Sequence, residues 1–167
     1  MSQRGFFYAI TDEEAQALLS LVGNPPALVP AVQDLYTIER QRAHFLRGVD
    51  KSWEAMHRCL SDGTLNDIGK GTGPLSWCVL GGKCLYNGKD YIVCFVTAQQ
   101  VAQVAEAVDQ IDVAGFVSRY RLLENLGYGA AYGDEDLQYT WDYFTNVRNL
   151  YNRAAAHGRA MVFLADR

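Results

Sequence analysis

Apolar residues recur along this chain in two rhythms, and the places where the rhythm changes mark out its elements. Arg4 to Ile10 is a short apolar run rich in aromatic side chains, which predicts a buried strand. Thr11-Asp12-Glu13-Glu14 follows it, and a Thr three residues before a Glu is the pattern of a capping box. Leu18, Leu19, Leu21 and Val22 then give a first helix its apolar face, and Gly23-Asn24-Pro25-Pro26 ends it. From Ala27 to Leu46, apolar residues at Leu28, Val32, Leu35 and Ile38 fall at helical spacing and predict one or two helices.

Asp50 is placed to cap the next helix, in which Trp53, Met56, His57 and Leu60 share one side at steps of three and four. Gly63 to Gly73 holds four glycines with polar spacers and is expected to be a surface loop. Pro74 can open a short helix that runs to Leu80 and stops at Gly81-Gly82. Lys83–Tyr86 and Tyr91–Val96 flank Asn87-Gly88, a dipeptide suited to the positive φ angles of a tight hairpin turn, with Lys89-Asp90 available to lengthen it. Thr97 can cap a helix to about Gln110, and a further helix is expected over Val113–Leu126. After a Gly/Ala/Tyr loop from Tyr128 to Gly133, Asp134-Glu135-Asp136 stands where a helix macrodipole favours acids. Leu137, Trp141, Phe144, Val147, Tyr151 and Ala154 form a long stripe that Gly158 closes, and Ala160–Leu164 is a last apolar strand. The terminal strands lack polar alternation, so the expected fold is α/β: one small mixed sheet of about four strands covered by helices on both faces.

With 167 residues, 49% of them apolar and 20% charged, the chain can bury a substantial core, and one domain over residues 1–167 is expected. The formal charge of −4 and the absence of a Lys/Arg run argue against a nucleic-acid phosphate binder. The start of the sequence turns acidic after a short apolar run, which is no signal-peptide pattern, and no stretch is long enough to span a bilayer. A cytoplasmic location without membrane association is the expectation. In that setting Cys59, Cys78, Cys84 and Cys94 are read as reduced, buried small side chains rather than as two disulfides.

His57 and Cys59 invite a thiolate–imidazole reading, but residues two apart on a helix do not face each other. His57 is therefore expected at the margin of the core, held by a hydrogen bond. No Cys-x-x-Cys or close His spacing supports zinc, and Gly69-Lys70-Gly71-Thr72-Gly73 lacks the spacing of a phosphate loop. The acidic trio is explained by helix capping without a cation, so neither a metal nor another cofactor is expected. Tyr128, Tyr132, Tyr139 and Tyr143 gather around the glycine-rich loop, where tyrosines with neighbouring acids suit protein recognition.

Several of these segments also resemble the YfbM-like family, a bacterial family catalogued as a domain of unknown function. They are Arg4-Gly5-Phe6-Phe7-Tyr8-Ala9-Ile10, Asp50-Lys51-Ser52-Trp53 with Met56-His57-Arg58-Cys59-Leu60, and Pro74-Leu75 with Val79-Leu80-Gly81-Gly82. Tyr91-Ile92-Val93 before Thr97, and Tyr139-Thr140-Trp141 through Phe144 to Tyr151, extend the likeness over nearly the whole chain. The resemblance implies a three-layer α/β sandwich and carries no reaction.

Two functional readings result. The first is a non-enzymatic protein-binding module for a partner with a basic surface, such as an immunity-type inhibitor of a toxin. The second is a small enzyme or ligand-binding domain built on a polar cleft around His57. The residues assigned to binding are Asp50, Trp53, His57, Arg58, Tyr128 and Tyr132. The sequence leaves the oligomeric state open.

Overall fold

β5 (Ala160–Asp166) runs through the middle of one five-stranded sheet, paired antiparallel with β1 (Gly5–Ile10) on one side and β4 (Tyr91–Val96) on the other. β2 (Leu46–Asp50) extends the β1 side and β3 (Lys83–Asn87) the β4 side, giving the order β2-β1-β5-β4-β3. The computed structural model describes residues 3–128 and 133–167. Every pairing is antiparallel, so the sheet is neither mixed nor four-stranded, although the α/β class with helices on both faces stands.

The alternation of side chains along each strand divides the core into two layers. Tyr8, Ile10, Val93, Phe95, Val162 and Leu164 point to one face, covered by α1 (Asp12–Leu19) and α2 (Pro25–Gln33). Phe7, Ala9, Ile92, Cys94, Met161 and Phe163 point to the other. That second face carries α4 (Trp53–Leu60), α6 (Ala98–Asp109), α7 (Val113–Leu122) and the long α8 (Gly133–Ala156). A central strand buried on both faces explains the unbroken apolar run of β5.

Local chemistry sets the helix ends. The Glu14 N–H donates to Thr11 Oγ1 at 3.3 Å while the Thr11 N–H donates to Glu14 Oε1 at 3.0 Å, completing the capping box of α1. Thr97 and Gln100 repeat the arrangement on α6, and Asp112 accepts from the Gly115 N–H at 2.7 Å to start α7. The region after α1 resolves into two helices, α2 and the short α3 (Ile38–Arg42). At the end of α8 the Gly158 and Arg159 N–H groups return to Ala155 and Ala154, with Gly158 at φ +62°.

Five details depart from the sequence reading. Asp50 does not cap α4: it ends β2 at φ +45°, and Ser52 occupies the cap position without a side-chain cap bond. Asn87-Gly88 adopts no positive φ; the wider turn closes with the Gly88 N–H on Tyr91 O at 2.9 Å, so Lys89 and Asp90 belong to it. The segment after Pro74 forms only the one-turn α5 (Pro74–Trp77), and α7 stops at Leu122, with a 3₁₀ turn over Leu123–Leu126. The glycine-rich stretch 63–73 is anchored rather than free: Leu65 and Ile68 pack against the core, and the Gly69 N–H donates to Leu80 O.

Candidate functional site

α4 leaves the edge of the sheet directly after β2 and presents two chemically different sides. Trp53 lies on the inner side, its ring centroid 5.9 Å from that of Phe163 and its indole N–H donating to Gln3 O at 2.8 Å. The apolar body fixes the helix on the sheet, and the polar tip ties it to the chain ahead of β1. Met56, Cys59 and Leu60 are buried beside it. Burial pushes the Cys59 thiol up to about 12, which removes it as a nucleophile at neutral pH.

Glu54 and Arg58 face outward one turn apart. The Arg58 guanidinium donates to Glu54 Oε1 through Nε at 3.2 Å and Nη2 at 2.9 Å, and to Gly63 O at 3.0 Å. It also stacks over the Tyr128 ring, 5.4 Å from the centroid. Opposite them, the first turns of α8 contribute Glu135, Asp136 and Tyr139. Asp136 Oδ2 accepts from the Tyr120 hydroxyl and, at 3.3 Å, from the Tyr128 hydroxyl. Burial and that carboxylate together push the Tyr120 phenol well above its ordinary value.

These walls enclose an open cleft of about 700 Å³, lined by Gln3, Lys51, Glu54, Arg58, the 126–128 segment, Glu135, Asp136 and Tyr139. Tyr139 also closes one side by donating to Asp50 Oδ2 at 2.8 Å. Burial, then this bond, pushes its phenol up to about 12. Arg58 is paired with Glu54 and Asp136 with Tyr120 and Tyr128, which orders these parts of the wall before anything binds.

Of the residues assigned to binding, Arg58 and Tyr128 line the cleft, and Asp50 stands behind its wall through Tyr139. Trp53 and His57 lie on the buried side of α4, and Tyr132 falls outside the described residues. Lys51 and Glu54 escaped the sequence reading, although the Glu54–Arg58 spacing is the signature of a helical ion pair.

His57 is only 1% exposed and is not held by a hydrogen bond at the core margin. Its Nε2 lies 3.6 Å from Asp67 Oδ1, beyond hydrogen-bond distance. Neither ring nitrogen, nor Ser61 Oγ, nor Asp67 Oδ1 has a hydrogen-bond partner among the described residues. Burial lowers the His57 pKa despite the opposing pull of Asp67 and Asp62. Ser61, Asp62 and Asp67 open onto a separate surface cavity of about 360 Å³. The large cleft therefore centres on Arg58, which faces outward, whereas the neighbouring His57 is turned into the buried side of the helix. Among the described residues no three His, Cys, Asp or Glu side chains are grouped to hold a metal ion. No helix among them is long and apolar enough to cross a membrane.

A search of the curated proteins finds no match. Among solved structures the chain is similar to a protein of unknown function, YfbM from Escherichia coli. The TM-score is 0.63 at 19% identity, covering 97% of this chain and 99% of that one. At this identity the likeness speaks for the fold alone. Residues 1–164 match the family described as Domain of unknown function (DUF1877), and the chain belongs to that family.

Proposed function

We propose that this protein is a non-enzymatic binding module of the cytoplasm that docks a basic protein partner at the Arg58–Tyr139 cleft, with immunity-type inhibition of a toxin as its specific form. One observation carries the reading: the cleft gathers Arg58, Tyr128 and Tyr139 beside the carboxylates of Glu54, Glu135 and Asp136. Tyrosine and arginine are the side chains that concentrate binding energy at protein interfaces. Three carboxylates against the two cations Lys51 and Arg58 give the cleft an acidic bias that attracts and orients a basic surface. The pairing of Arg58 with Glu54 and of Tyr128 with Asp136 reduces the entropy lost on docking.

The test is co-expression with a toxin encoded beside the gene, together with direct titration of the two purified proteins. Wild type is expected to restore growth and bind stoichiometrically, while Glu135→Lys and Tyr128→Ala weaken binding at least about tenfold, the scale of a single interface anchor. Absence of a complex with that toxin, together with no stoichiometric partner captured from native cytosol, overturns the reading.

A second reading, a small enzyme or ligand-binding domain at His57, is favoured by the buried polar atoms of His57, Ser61 and Asp67 that lack hydrogen-bond partners. It requires His57→Ala to abolish a measurable ligand signal or activity. If every such signal survives that substitution, His57 is structural.

A further inference from the structure

We propose that Cys84 and Cys94 are a two-cysteine redox site, in which a small hydroperoxide oxidises Cys84 and Cys94 resolves the product to a reversible cross-strand disulfide. The proposal is independent of the cleft. In the β3–β4 ladder Cys84 stands directly opposite Cys94. Residues opposed in an antiparallel pair have Cα atoms about 4.5–5.5 Å apart, inside the span that a disulfide bridges. The two thiols are close enough to influence each other's protonation.

The two cysteines are not equivalent. β3 is an edge strand, so Cys84 is half-buried and reachable, whereas Cys94 is enclosed in the core on β4. A register shift between Cys84 and Tyr86 interrupts the ladder beside this pair. The Tyr86 backbone and the Arg167 charge favour the Cys84 thiolate. With the Cys94 thiol as the largest influence, these groups bring the Cys84 thiol down to about 7, despite the opposing effect of burial. The neighbouring Cys84 thiol, then burial, pushes Cys94 up. A partly exposed thiolate backed by a protonated partner thiol is the arrangement of an attacking and a resolving cysteine. Cys59 and Cys78, buried and pushed up, are not equipped for it.

The oxidant must be small. The backbone of Gly69 passes over Cys84, and a Cβ on that glycine would lie 2.6 Å from Cys84 Cβ and 2.7 Å from its N. Cys84 thiolate attacks one peroxide oxygen; an S–O bond forms, the O–O bond breaks, and the leaving hydroxide takes a proton to become water. The Cys94 sulfur then attacks the sulfenic sulfur, forming S–S and breaking S–O, and the Cys94 proton leaves with the hydroxide as a second water. Two electrons have passed from the thiol pair to the peroxide. A dithiol reductant reverses the bridge by exchange.

The experiment is peptide mapping of the reduced full chain after hydrogen peroxide at neutral pH. A Cys84–Cys94 linked peptide that dithiothreitol removes is expected. Cys94→Ser should leave a sulfenic acid on Cys84 that dimedone traps. Should that variant not fold, iodoacetamide labelling of the wild type reads the same asymmetry, with Cys84 alkylated at least about tenfold faster than the other cysteines. No linked peptide, sulfenic acid on Cys59 or Cys78 instead, or uniform alkylation overturns the site. Faster bridging by glutathione disulfide than by equimolar peroxide overturns the choice of oxidant.

Discussion

The Nε2 atom of His57 faces Asp67 Oδ1 across 3.6 Å with no hydrogen bond between them, so charge can couple α4 to the 61–73 segment only when the imidazole is protonated. Its strength therefore depends on protonation. Burial lowers the folded-state pKa of His57 below its ordinary 6.5, and the imidazole is neutral in the folded protein at neutral pH. As pH falls below 6.5 the unfolded chain takes up this proton before the folded one, so His57 costs stability there and adds no slope above it. Thermal melts at about pH 7.5 and about pH 5.5 should show a drop in Tm for wild type that His57→Gln reduces. An equal drop in both proteins would remove His57 as its source.

The same helix shows where sequence reasoning reaches and where it stops. The inner face of Trp53, Met56 and Leu60 was legible because helical spacing alone decides which side chains share a side. β2 was not, because Leu46-Arg47-Gly48-Val49-Asp50 is an edge strand with a glycine and two charges, a weak strand signal beside an aspartate that reads as a helix cap. The capping box at Thr11 and the cap at Thr97 were legible since the partners lie within one turn. The cleft joins residues from before β1, from α4, from 126–128 and from α8, and no local pattern announces such a meeting. Asp67 stayed hidden from His57 for the same reason, inside a glycine-rich stretch whose composition suggested open loop.

Arg40 ties three segments together and should resist even conservative change. It donates to Ala9 O at 2.7 Å, to Leu35 O at 3.0 Å and to the Glu14 carboxylate. Lysine cannot reproduce that fork, so Arg40→Lys is expected to cost about 1–3 kcal/mol in denaturant unfolding. Burial alone would raise Glu14, but the Thr11 N–H and Arg40 outweigh it and leave the carboxyl below its ordinary 4.5. The sign is opposite to that of His57: this stabilisation is present above pH 4.5 and fades as pH falls through the lower folded value. Glu14→Gln should flatten acid unfolding in that window.

Tyr151 carries a hydroxyl into the core of α8, where it donates to Cys78 O at 2.7 Å. The ring is fully buried, and burial pushes the phenol well above its ordinary value. Tyr151→Phe leaves the ring packing and removes the donor. A buried carbonyl without its partner costs about 1–3 kcal/mol, to be read as a shift in the urea midpoint with an unchanged m-value. A change in m-value instead would mean that the substitution altered surface exposure on unfolding.

Asp50 holds φ +45° at the junction of β2 and α4, a conformation that costs a non-glycine residue about 1–2 kcal/mol and that Asp and Asn tolerate best. Its Oδ2 also accepts from Tyr139, the side chain that forms one wall of the cleft. Asp50→Ala removes both the tolerant side chain and the acceptor, while Asp50→Asn keeps a carbonyl oxygen for the same bond. Alanine is therefore expected to lower stability by about 1–2 kcal/mol and to loosen Tyr139, whereas asparagine stays close to wild type. Tyr139→Phe separates the two effects, because it deletes the hydrogen bond without touching the backbone. If Asp50→Ala and Tyr139→Phe weaken partner binding equally, the bond positions the cleft wall; if only the alanine variant does, the backbone turn at Asp50 sets the cleft.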